Sequence, residues 1–150
     1  MDFSEGMLKQ AKHNVNAKNV SFIQHDIRER WPFKREQFDW VIGNLILEHI
    51  ENLAPIFAEA YRVLKPLGFL FICELHPYRQ IKGVQAKFHS GKQEKEEKIA
   101  AYIHDVSEYI NTGQEAGFGL DKIAEWRDQP DSPLTELPRL ISIVLQKPGK

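Results

Sequence analysis

Residues 37–77 read QFDWVIGNLILEHIENLAPIFAEAYRVLKPLGFLFICELHP, and this stretch decides the fold. Phe38 to Gly43 is a short apolar run of aromatic and β-branched residues between polar neighbours, the pattern of a buried strand. Asn52 suits a helix cap, and Pro55 falls in the first turn, where a missing N–H costs little. Ile56, Phe57, Ala60, Tyr61, Val63 and Leu64 then recur at helical spacing until Lys65-Pro66 stops the helix. Leu67 to Leu75 is the second apolar run. Strand, crossover helix and strand make a βαβ unit, and such units give parallel pairs. Ligands of parallel sheets sit outside the carboxyl ends of the strands. Gly43, Asn44, Glu74 and His76 are therefore expected on the functional edge.

The whole chain of 150 residues fits one domain, 1–150. Its formal net charge is −1 with scattered Lys and Arg, which gives no electrostatic footprint for nucleic acid or an anionic membrane. No apolar run has the length of a membrane span, and no signal-peptide pattern opens the chain. The single Cys73 lies inside an apolar strand and has no internal disulfide partner, so the expected location is the cytoplasm. GKQEKEEK at 91–98 reads as a solvated loop tip.

Before the central unit, Ser4 caps a helix expected to reach about Lys18, with Met7, Leu8, Ala11 and Val15 as its stripe. Val20 to Gln24 reads as a short strand ending at His25-Asp26. After the unit, 85–88 and 98–103 read as a hairpin around the charged tip. A helix over about Val106 to Ala116, closed by Gly117, leads to strands at Gly119–Trp126 and Leu140–Lys147. These two strands follow each other without a helix, which predicts an antiparallel pair at the sheet edge.

In this order the pieces resemble the class I S-adenosylmethionine-dependent methyltransferases, in the branch of the ubiquinone and menaquinone biosynthesis enzymes. Met1-Asp2-Phe3-Ser4-Glu5-Gly6-Met7-Leu8 is similar to the family's D-x-S-x-x-M-L at the end of its second strand. His25-Asp26, Trp31-Pro32-Phe33 and Phe38-Asp39-Trp40-Val41 resemble D…L-P-F…F-D-x-V. Leu47-Glu48-His49-Ile50 resembles L-E-H-V, Arg62 to Gly68 resembles R-V-L-K-P-G-G, and Ala116-Gly117-Phe118 resembles A-G-F. The resemblance implies a Rossmann-like, mostly parallel sheet with an antiparallel edge pair. The family's Gly-rich loop, E/D-x-G-x-G-x-G, has no counterpart; Gly117-Phe118-Gly119 is the only G-x-G and leads into a strand. The resemblance therefore implies a domain shortened at its N-terminus, missing the first strand and most of the second. It also implies weak cofactor binding by these residues alone.

What the resemblance implies for the site follows residue by residue. Asp2 accepts from the ribose hydroxyls of S-adenosylmethionine. Asp26 accepts from the adenine amino group, with Ile27 against the ring. Gly43 and Asn44 lie where the methionine end of the cofactor meets a small-molecule methyl acceptor. His76 and His104 are the candidate catalytic bases, needed if the acceptor arrives protonated. The insert at 78–103 is expected to cover the edge as a substrate lid. Glu48-His49 could suggest a metal, but adjacent helix residues point apart and no further ligand cluster exists in the sequence, so no metal is expected. Two other readings belong to different classes. A catalytically inactive remnant acting as an interaction module follows from the missing loop, and its open sheet edges could form a homodimer. A nicotinamide dehydrogenase would need G-x-G-x-x-G after its first strand.

Overall fold

A computed structural model describes residues 1–82, 101–128 and 136–149. Its elements in chain order are helix α1 (Glu5–Asn14), strand β1 (Phe38–Asn44), helix α2 (Ala54–Val63), strand β2 (Leu64–Leu75), helix α3 (Pro77–Ile81), helix α4 (Val106–Glu115), strand β3 (Gly119–Trp126) and strand β4 (Leu140–Gln146). A single 3-10 turn, Leu47–His49, follows β1. The fold is α/β, as the sequence indicated.

The strands form one sheet in the order β1-β2-β4-β3. β1 and β2 are parallel, with Val41 beside Leu70 and Asn44 beside Cys73. The β2–β4 and β4–β3 pairs are antiparallel, so the sheet is mixed. The expected antiparallel pair of the last two strands forms, and β4 lies inside it, next to β2. Ser4 caps α1 by accepting from the Met7 N–H, but the helix ends at Asn14 rather than near Lys18. The strand expected at 20–24 is reduced to one parallel bridge between Asp2 and Gln24. The hairpin expected around the charged tip lies largely outside the described residues.

Helices α2 and α4 cover one face of the sheet. Ile56, Phe57, Ala60 and Val63 of α2 are buried with Tyr109 of α4 and Phe118 against Leu70, Ile72, Ile141, Ile143 and Leu145. α4 approaches β4 closely at Gly113, where an added Cβ would stand 2.5 Å from a methyl of Leu145. On the other face Trp40 stacks on Phe69, centroids 4.7 Å apart, while Trp40 and Ile42 remain 52% and 69% exposed.

Two local features orient the central unit. Arg62 donates to the carbonyls of Trp31 and Phe33 and pairs with Glu59, which itself accepts from the Trp31 N–H. This straps 27–37 along α2 and brings Phe38 to the start of β1. Just beyond the same end of α2, at the start of β2, Leu67 takes φ 65° within the Lys-Pro-Leu-Gly segment. That left-handed position is the one where the resembling family pattern carries glycine.

Candidate functional site

The parallel bridge sets Asp2 beside Gln24, two residues before Asp26 and three before Ile27. The bridge is held by the Asp2 N–H on the Ile23 carbonyl at 3.1 Å and the His25 N–H on the Asp2 carbonyl at 3.0 Å. The Asp2 carboxylate accepts from the Ser4 N–H at 2.7 Å, so it also organises the start of α1. Asp26 accepts from the Arg28 backbone N–H at 2.9 Å and from the Arg28 guanidinium through both oxygens. Those bonds, the guanidinium first, hold its carboxyl down at about 2, so the group is a fixed anion. Ile27 is half-buried against the core, and its carbonyl accepts from the Trp31 indole at 2.9 Å.

The second part of the site is the carboxyl end of β1. Gly43 and Asn44 close the strand beside Ile72 and Cys73, and Asn44 is exposed. Leu45 then turns with φ 52°, its N–H bonded to the Cys73 carbonyl at 2.9 Å. The next two N–H groups, Ile46 and Leu47, both donate to Oε1 of Glu74 at 3.1 Å. Glu74 has no exposed surface, and its Oε2 has no hydrogen-bond partner. Burial is the main reason its carboxyl is pushed up to about 7; the Leu47, Ile46 and Glu48 amides oppose that shift and the Glu48 charge adds to it.

The two histidines answer to different elements. His76 is buried and caps α3, with Nδ1 accepting from the Tyr78 N–H at 3.2 Å. Its Nε2 therefore carries the proton in the neutral ring and points to Glu125 Oε1 at 3.3 Å. His104 is also buried; Nε2 lies 2.7 Å from the Ile50 carbonyl and Nδ1 lies 2.9 Å from Glu108 Oε1. Both nitrogens of His104 face acceptors.

Several partners are invisible to local sequence reading. Glu48 is buried, accepts from Gln80 Nε2 at 2.9 Å and lies 3.8 Å from His49 Nε2. Arg79 of α3 pairs with Asp128, which also pairs with Arg139 at 3.1 Å. α3 is thus tied to the turn after β1, to β3 and to the residues just before β4. No group of three or more metal-ligating side chains forms among the described residues. No helix among them is long and apolar enough to cross a membrane. A cavity of about 270 Å³ lies to the side of Asp26, lined by Arg28, His49, Asn52, Pro55, Ile56 and Tyr102 among others. None of the expected cofactor residues lines it, but its walls join their neighbours to the end of the 78–103 stretch.

Residues 1–72 match the family described as "Methyltransferase domain". Among curated proteins, the chain is 35% identical over 81 residues to the biotin biosynthesis bifunctional protein BioHC of Teredinibacter turnerae, covering 51% of the chain and 14% of that protein. It is 30% identical to the demethylmenaquinone methyltransferase of Streptomyces griseus, over 99% of the chain and 56% of that protein. The chain therefore spans only part of the length of these relatives. Among solved structures, an S-adenosylmethionine-dependent methyltransferase from Mesorhizobium loti superposes with a TM-score of 0.77 at 16% identity, over 97% of this chain and 77% of that one.

Proposed function

We propose that this chain, whose residues 1–72 match the methyltransferase-domain family, is a class I S-adenosylmethionine-dependent methyltransferase domain that takes part in transfer of a methyl group to a small-molecule acceptor. The observation that carries this reading is the pairing of two sets of strand ends. The parallel bridge sets Asp2 beside Gln24, two residues before Asp26, and Gly43 and Asn44 end β1 of the parallel pair.

The residues present fit the nucleoside part of the cofactor. A ribose offers hydroxyl donors and an adenine offers an amino donor, and both call for fixed acceptors. Asp2 and Asp26 are carboxylates at neighbouring strand ends, and Asp26 is held ionised by Arg28. Asp2 is assigned to the ribose, Asp26 and Ile27 to the adenine, and Gly43 and Asn44 to the methionine end. When bound, S-adenosylmethionine supplies an electrophilic methyl on sulfur. The chain's own contribution is orientation: the rim at Gly43 and Asn44 holds the acceptor in line. A proton on the acceptor is assigned to His76 Nδ1, which gives up the Tyr78 N–H to take it, while Nε2 keeps its own proton toward Glu125 and the carboxylate stabilises the charged ring. His104 serves by holding α4 against the Ile50 carbonyl, because neither of its nitrogens is open. Residues 78–103 act as the lid; Tyr102 at their end lines the cavity beside Arg28, which supports that placement.

The same reading allows self-association. β1 has one neighbour among the described strands, and Trp40 and Ile42 stand exposed beside its open edge.

The test is calorimetric titration of residues 1–150 with S-adenosylhomocysteine, alone and with a peptide carrying a strand, an E/D-x-G-x-G-x-G loop and a helix. Binding that appears with the peptide is the expected result. Micromolar binding without it would show that these residues suffice. No binding in either arm would remove the cofactor reading.

A further inference from the structure

Glu74 is an ionisable residue in an apolar place. It stands on the inner face of β2, at the parity of Leu70 and Ile72 and opposite Ile141 of β4, with no exposed surface. A buried carboxyl survives only where its hydrogen bonds repay its desolvation. Oε1 accepts from the Ile46 and Leu47 N–H groups, each at 3.1 Å. These are the first two amides beyond Leu45, whose φ of 52° is a conformation that leucine avoids. The Leu45 N–H is itself fixed on the Cys73 carbonyl at 2.9 Å. Three successive N–H groups are thus gripped by two adjacent residues of β2. Gly43 and Asn44 lie directly before that grip.

We propose that Glu74 is a positioning residue of the methyl-transfer site: one carboxylate oxygen accepts both amides and locks the Asn44–Leu47 turn in the shape that presents Gly43 and Asn44. The link to methyl transfer rests on the reading of that rim given above; the lock itself does not. The chemistry separates two substitutions. Glutamine keeps a carbonyl oxygen for both amides. Leucine suits the apolar surroundings but leaves two buried N–H groups without an acceptor.

The experiment compares amide hydrogen exchange and amide resonances of the wild-type chain, Glu74→Gln and Glu74→Leu. In the leucine variant, exchange at Ile46 and Leu47 is expected to rise at least about 100-fold, while Ile72 and Ile143 keep their protection. In the glutamine variant protection persists, and at about pH 8 and above, where the Glu74 carboxyl is ionised, the Ile46 and Leu47 amide protons lie upfield of their wild-type positions because a neutral acceptor replaces a charged one. That shift is read even if the leucine variant fails to fold. Unchanged Ile46 and Leu47 amides in either variant, or equal losses at Ile72 and Ile143, would overturn the lock. S-adenosylhomocysteine is then added together with the Gly-loop peptide. Gly43 and Asn44 responding in wild type and the glutamine variant, but not in the leucine variant, ties the lock to the site. Equal responses in all folded variants would refute that tie. No response in wild type would remove the methyltransferase reading, with the lock judged separately by the exchange data.

Discussion

The Glu74 carboxyl should make the stability of this chain fall as pH rises, the reverse of the usual behaviour of a protein carboxylate. Its ordinary value is 4.5, and burial lifts it to about 7 in the folded chain. Below pH 4.5 the group is protonated in both states and costs nothing. Between the two values the unfolded chain has lost the proton and the folded chain keeps it. The folded state then binds more protons, and stability declines with pH. Above about 7 the loss is complete. A shift of that size corresponds to about 3 kcal/mol. Glu74→Gln removes the titration while retaining an acceptor for Ile46 and Leu47. Urea unfolding of both proteins at intervals from pH 4.5 to 8 supplies the comparison. The glutamine variant should gain about 3 kcal/mol on wild type across that range. Parallel profiles for the two proteins would refute the reasoning, since every other group is common to both.

Other expectations can be checked by simpler means. Asp26→Ala should weaken S-adenosylhomocysteine binding by about 1–3 kcal/mol in calorimetry of the peptide-completed protein, because a buried amino group loses its acceptor; unchanged affinity would count against the adenine assignment. His76→Ala should lower turnover by roughly 10²-fold or more with little effect on cofactor affinity, whereas His104→Ala should act through thermal stability. Leu67→Gly should stabilise the chain by about 0.5–1 kcal/mol in urea unfolding, the relief of left-handed strain less the greater entropy of an unfolded glycine. Sedimentation velocity at rising concentration should show self-association, and Ile42→Lys, which puts a charge beside the open edge of β1, should abolish it.

The central unit was legible because its signals are local. The stripe of Ile56, Phe57, Ala60 and Val63 and the apolar runs on either side need only their own periodicity. The Ser4 cap and the close of α4 at Gly117, with φ 104°, were equally local. Val20 to Gln24 has strand-like composition, yet only Gln24 finds a partner; a strand exists through its neighbours more than through its residues. The position of β4 between β2 and β3 is likewise a tertiary fact. Within the site, Asp26 is marked by its pattern, whereas its clamp by Arg28, only two residues away, depends on a loop conformation that the pattern does not carry. Glu74 was expected on the rim. Its parity with Leu70 and Ile72 was the available signal that it faces inward. Glu108 stands four residues from His104, a visible helical spacing, whereas the Ile50 carbonyl could come only from the fold.

The place of β4 has a consequence for how the chain is made. β1, α2 and β2 are contiguous and can assemble from short-range contacts while synthesis continues. β3, however, has no partner among the described strands until β4 exists, and β4 follows all the other described elements in the chain. Lys147 follows it at once, placing its ammonium on the Tyr61 and Leu64 carbonyls at the end of α2 at 2.9 and 2.8 Å. The final residues of this stretch thus close both the sheet and the helix layer. Until they emerge, the inner edge of β2 offers an apolar strand to any neighbour, so the nascent chain passes through a sticky, chaperone-accessible stage that ends only once β4 and Lys147 have been made.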